Sequence, residues 1–198
     1  MPVGRLCGMT KPLLQVLIAS TRPSRVGAKV ADWFIPIAES QGAFAVERVD
    51  LKDMNLPLFD EPKHPRLGEY EHEHTKRWSS TVSRADAFVF VTPEYDFGPP
   101  ASLINALQFL VKEWAYKPVG LLSYGGVSAG LRSANALRII ITANNMMPLP
   151  GGVSIPLVGQ LVNKETGLFE PGEGQAKAST AMVTELARWE RAMRGLRA

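Results

Sequence analysis

From residue 13 onward, short apolar runs alternate with stretches whose apolar residues recur every three or four positions, and this alternation leaves few folds open. Strand-like and helix-like segments in turn make βαβ units, hence a parallel sheet covered on both faces. Leu13 to Ala19 (LLQVLIA) reads as a buried central strand. Val30, Trp33, Phe34, Ile37 and Ala38 fall on one face of a helix that Gln41-Gly42 ends. Phe44 to Leu51 is a second strand, followed by a Pro-rich loop from Lys52 to Arg66. Tyr70, His74, Trp78 and Val82 predict a helix over Glu69 to Arg84, and Ala87 to Thr92 (AFVFVT) a third buried strand. Pro99 and Pro100 precede a helix expected over Ala101 to Trp114. Pro118 to Ser123 is strand four. Leu131, Ala134, Leu137 and Ile141 mark the next helix. A fifth strand lies within Met147 to Pro156, blurred by prolines, and Met182, Leu186, Trp189 and Met193 define a final helix.

Five strands with intervening helices fit a doubly wound sheet, and right-handed crossovers leave few topologies. The 198 residues suit one domain, with residues 1–12 a frayed tail and 13–198 a single folded unit. Charged residues make up 21% and the net charge is +3. No Lys/Arg run is present, so nucleic acid is not expected, whereas an anionic small ligand suits the charge. No stretch reaches the roughly 18 apolar residues of a membrane span. Cys7 stands alone, so no internal disulfide is possible and a reducing, cytoplasmic location is expected.

In doubly wound sheets ligands sit beyond the carboxyl ends of the strands, which directs attention to the loops after Ala19, Thr92 and Ser123. The first, Ser20-Thr21-Arg22-Pro23-Ser24-Arg25-Val26-Gly27, joins a strand to a helix N-terminus. Free amides there attract phosphate, and Ser20, Thr21, Arg22 and Arg25 add hydroxyls and guanidinium forks. A polar turn with Ser24 as N-cap and two solvated arginines is the plainer alternative. The loop has neither the dinucleotide GxGxxG pattern nor a Walker A lysine. The second loop, Thr92 to Pro100, carries Tyr95 and Phe97 among three prolines and a glycine. It offers ring faces and rigid amides to a flat heteroaromatic ligand, or a stiff turn that packs a subunit contact or the core. The third, Ser123 to Gly130, has three glycines that allow close backbone approach. A loose βα connection would read the same way.

These residues resemble the NADPH-dependent FMN reductase family. Leu17 to Gly27 is similar to its G-S-T-R-x-x-R loop, Thr92 to Leu110 to its T-P-E-Y-N segment, and Lys117 to Leu131 to its K-P-V-x-x-x-S-Y-G-G-x-S-A-G element. The resemblance implies an α/β, flavodoxin-like, five-stranded parallel sheet of order 2-1-3-4-5 with helices on both faces. It implies non-covalent FMN, NADPH or NADH as donor, and a homodimer or homotetramer. It also implies hydride transfer through FMN to a flavin, quinone, azo compound or metal oxyanion in a ping-pong scheme. By position, Ser20, Thr21, Arg22 and Arg25, with the Val26 and Gly27 amides, would hold the phosphate. Pro93, Glu94, Tyr95, Asp96 and Phe97 would line the isoalloxazine and ribityl chain. Ser123, Tyr124, Gly125 and Gly126 would flank the pyrimidine side. Asp96 replaces the family's usual Asn; its carboxylate accepts but cannot donate hydrogen bonds and would lower the potential of a nearby flavin.

The chemistry belongs to the cofactor, so no catalytic side chain is expected. His72 and His74 are two residues apart on the expected helix and so should point apart; with His64 they are not expected to bind metal. Trp114 and Tyr116 are expected to seal a subunit contact. The rivals are a non-catalytic FMN electron carrier, disfavoured by the positive charge, and a flavin-binding redox sensor.

Overall fold

Alternation along the central strands builds two cores from one sheet. In β3 (Ala87–Pro93), Phe88 and Phe90 face one side, Val89 and Val91 the other, and all are fully buried. The computed structural model describes residues 11–197. The expectations for the residue 1–12 tail and for Cys7 fall, apart from Lys11 and Pro12, outside those residues.

In chain order the elements are β1 (Leu13–Ile18), α1 (Gly27–Ser40), β2 (Ala45–Asp50), α2 (Leu51–Met54), α3 (Glu73–Ser83), β3, α4 (Ala101–Gln108), β4 (Pro118–Tyr124), α5 (Leu131–Ala143), β5 (Met147–Pro148), β6 (Val153–Ile155) and α6 (Glu173–Met193). All strand pairs are parallel, in the order β2-β1-β3-β4-β5, with β6 also on β4. This is the flavodoxin-like order. The fifth strand is split: Pro118–Val119 pair with β5, and Leu122–Tyr124 pair with β6. Pro148 and Pro150 lack the N–H that a continuous ladder needs.

One core, under α3, α4 and α5, holds Trp78, Phe88, Phe90, Phe109 and Trp114. The other, under α1 and α6, holds Phe34, Ile18, Val89, Val91 and Leu186. Each fully buried large side chain contributes roughly 1.5–3 kcal/mol.

Several boundaries differ from the sequence expectations. α3 starts at Glu73, so Tyr70 lies outside it and donates its hydroxyl to Glu113 at 2.8 Å. His72 is therefore an extended N-cap residue, and its ring stacks on His74 at 5.2 Å instead of pointing away. The Pro-rich loop contains α2, whose N-terminus Asp50 caps by accepting from Lys52 N at 3.0 Å. α4 ends at Gln108, and the chain then turns to bury Trp114 against Trp78, Phe88 and Phe90 at 5.8, 5.1 and 6.2 Å. Trp114 thus belongs to the core and does not seal a surface.

Lys117 is buried at the start of β4, and its Nζ donates to Val82 O at 2.9 Å and Ser83 O at 3.2 Å, capping the end of α3. Burial, aided by the Arg197 charge, lowers its pKa from 10.5 to about 8, against the pull of Asp86 and Glu113. Between those values the unfolded chain keeps a proton that the folded chain has shed, so this group makes stability rise with pH there and is flat below. Unfolding free energies of wild type and Lys117→Met from urea titrations should diverge across that window by an amount on the order of 1–3 kcal/mol. Parallel curves would refute it.

Candidate functional site

The loops after β1, β3 and β4 meet above the carboxyl ends of those strands. Buried Ser20 and half-buried Tyr95 share a hydrogen bond, Oγ to Oη 2.7 Å, which joins the first loop to the second. Arg22 lies over the Tyr95 ring with Cζ 5.5 Å from its centroid, and its amide donates to Ser20 Oγ at 3.4 Å. α4 is tied in as well, because Ser102 Oγ donates to Ala19 O at 2.6 Å.

The first loop ends at the N-terminus of α1, with Val26 as N-cap and no side-chain cap. The amides of Val26, Gly27 and the next two residues have no acceptor within their helix. Ser24 is therefore not the cap. Thr21 and Arg22 are exposed and free to meet a ligand. Arg25 is engaged elsewhere: Nη2 donates to Asp50 Oδ2 at 2.6 Å, with side chains 12% and 1% exposed. Arg48 approaches the same carboxylate at 3.5 Å. Arg25 thus braces the loop from below, and Arg22 presents the exposed guanidinium.

In the second loop Tyr95 and Gly98 exchange backbone hydrogen bonds of 2.9 and 2.8 Å around Asp96 and Phe97. Their φ values, +46° and +66°, mark a tight left-handed turn of the primed type. Asp tolerates that conformation; a phenylalanine rarely adopts it. Arg132 holds the Phe97 ring, its Cζ 3.9 Å from the centroid. Glu94 faces the third loop. It accepts from Ser128 Oγ at 3.0 Å, Arg132 N at 3.2 Å and Arg132 Nε at 2.6 Å. Burial would raise its pKa, but these donors outweigh burial and hold it below the ordinary carboxylate range. Pro93, buried at the end of β3, pairs in register with Tyr124.

In the third loop Ser123 is buried and donates to Ala129 O at 2.9 Å. Gly125 N donates to Ile155 O at 3.2 Å. The Gly125 and Gly126 carbonyls accept from Val158 and Leu157 at 3.0 and 2.9 Å, so the chain after β6 braces this loop. Gly130, at φ +77°, is the N-cap of α5. The Tyr124 ring is buried on the α1 side of the sheet, with its hydroxyl against Gly27 at the start of α1.

The candidate residues are therefore brought together, but in two layers. Thr21, Arg22, Tyr95, Asp96, Phe97 and Gly126 form the upper, accessible one; Ser20, Arg25, Glu94, Ser123 and Tyr124 support it. Sequence reasoning missed Asp50, Ser102 and Arg132, which hold that support from other elements and carry no local motif. Among the described residues no group of three or more His, Cys, Asp or Glu could hold a metal, and no helix is long and apolar enough to cross a membrane.

The donor set fits FMN. Helix amides, exposed hydroxyls and one guanidinium suit a phosphate monoester, and the Tyr95–Phe97 turn beside the glycine loop suits a flat ring.

A family model described as NADPH-dependent FMN reductase matches residues 12–159. An NAD(P)H-dependent FMN reductase of Schizosaccharomyces pombe is 43% identical over 121 residues, 60% of each chain. A quinone reductase of Pseudomonas putida is 31% identical over 62% of this chain and 66% of its own. Among solved structures, FerB, a flavoenzyme NAD(P)H:(acceptor) oxidoreductase from Paracoccus denitrificans, superposes with a TM-score of 0.70 over 92% of this chain and 98% of its own. At 19% identity that likeness shows the fold.

Proposed function

Because the chain belongs to the NADPH-dependent FMN reductase family, we propose that it holds FMN across its three strand-end loops and passes electrons from NAD(P)H to a small acceptor. The observation that carries this reading is the 2.7 Å bond between Ser20 and Tyr95, which fixes a phosphate-type loop beside an aromatic turn. Bound there, FMN would supply the redox chemistry, acceptance of hydride from a nicotinamide and onward delivery of electrons. The protein's own groups bind and orient. Thr21, Arg22 and the α1 amides receive the phosphate, and the Tyr95–Phe97 turn and Gly125–Gly126 flank the ring. Donor and acceptor use the same open face in succession, a ping-pong scheme.

The quinone reductase relative favours a quinone as the acceptor class. Exposed Leu58 and Ile139, 83% and 77% accessible on the side of the sheet that carries α4 and α5, favour a homodimer or homotetramer. We place the protein in the cytoplasm, where NAD(P)H is supplied.

Purified, FMN-loaded protein should show a flavin spectrum that NADPH bleaches without oxygen, and it should oxidise NADPH steadily once a quinone is added. Bleaching without turnover would favour an electron carrier. Bound flavin that NADPH leaves oxidised would favour a sensor. Protein that stays colourless after reconstitution would sink the cofactor itself.

A further inference from the structure

Tyr124 is 5% exposed, and its hydroxyl has no hydrogen-bond partner among the described residues. A buried donor left unmade is costly and calls for an explanation. The hydroxyl is tightly placed. A Cβ built on Gly27, the first residue of α1, would lie 2.5 Å from Oη and 3.3 Å from Cζ. The oxygen therefore sits directly against the helix N-terminus. The Gly27 amide is near enough to pull the phenol's pKa down but does not form a bond of acceptable geometry. Burial first, and Tyr95 second, hold that pKa above its ordinary value; Arg25 and Arg22 oppose them. Tyr95, Arg22 and Arg25 thus all lie within electrostatic reach of one orphaned hydroxyl. A second orphan, Arg25 Nε, is buried under the same loop.

Two other groups around this point are already engaged. Ser20 is bonded to Tyr95, and Arg25 Nη2 to Asp50. The remaining unspent donors are the helix amides, Arg25 Nε and the Tyr124 O–H, and the amides and the phenol share one place. The geometry points to Tyr124 as an interior ligand of the phosphate monoester, donating its hydroxyl from beneath while the α1 amides and Arg22 donate from the loop. This rests on the FMN reading above and refines it: Tyr124 serves the phosphate end of the cofactor, not its ring. It makes the pocket selective for a phosphorylated flavin over the bare riboflavin. Gly27 is required for the same reason, since any side chain there would displace the hydroxyl.

The test compares wild type and Tyr124→Phe by titrating apoprotein with FMN and with riboflavin, following quenching of flavin fluorescence, and by melting the apoprotein. Loss of one hydrogen bond to a charged group should weaken FMN binding by about ten- to a hundred-fold. Riboflavin affinity should stay within about two-fold, so the preference between the two ligands collapses. The apoprotein should melt at the same or a higher temperature, because an unsatisfied buried hydroxyl has been removed. A merely structural tyrosine would weaken both flavins together or lower the melting temperature, and either result overturns the assignment. Unchanged FMN affinity overturns it too. Wild type that binds neither flavin would overturn the cofactor reading first, an outcome visible before the variant is made.

Discussion

Asp50→Ala is expected to lower the unfolding free energy by about 3–5 kcal/mol, because it strands a buried guanidinium. Asp50 is the sole carboxylate bonded to Arg25 among the described residues, and both side chains are nearly withdrawn from water. Removing one partner leaves the other charge uncompensated, which costs far more than the intact pair is worth. The same carboxylate caps α2 through Lys52 N, so a further 0.5–2 kcal/mol, roughly, is at stake. Asp50→Asn keeps an acceptor for that cap and should cost less. Replacing both partners, Arg25→Met with Asp50→Leu, should recover much of the loss. Denaturant unfolding of the three variants decides the matter. An alanine variant within about 1 kcal/mol of wild type would mean that the pair is not buried in solution. Since Arg25 braces the first loop from beneath, the alanine variant should also retain flavin poorly.

Gly130→Ala should be nearly as damaging, for a reason confined to the backbone. Its Cβ would lie 2.7 Å from Tyr124 O and 2.8 Å from Tyr124 N, and φ is +77°. Neither atom can retreat without disturbing the end of β4. The left-handed conformation costs about 1–2 kcal/mol for a non-glycine residue, and the overlap roughly 1–3 kcal/mol more. Gly126→Ala is the control, since a Cβ there meets nothing within 4 Å and its φ is not positive. Melting temperature of the apoprotein should fall sharply for Gly130→Ala and stay near wild type for Gly126→Ala. Equal behaviour of the two would contradict the close approach.

The sheet was legible because strand alternation and helical periodicity are local. β1, β3 and β4 fall within a residue of their expected limits. Helix ends were less so. Tyr70 keeps the period of α3 yet belongs to the preceding loop, where Glu113, forty-three positions away, takes its hydroxyl. Trp114 keeps the period of α4 yet is pulled inward by Trp78 and Phe88, contacts that no short window contains. The three loops could be read from composition, and their convergence followed from the topology. What each side chain does could not. Arg22 and Arg25 look equivalent in sequence; only the carboxylate at the end of β2 separates an exposed arginine from a braced one. Glu94 is held by Arg132, thirty-eight residues on.

The interrupted last strand leaves one border of the sheet without a continuous ladder. Beyond β4 the border of the sheet is a two-residue and a three-residue piece, set apart by prolines and glycines. An incoming strand would find no unbroken row of amides and carbonyls to zip onto, so that margin is closed to fibre-like growth.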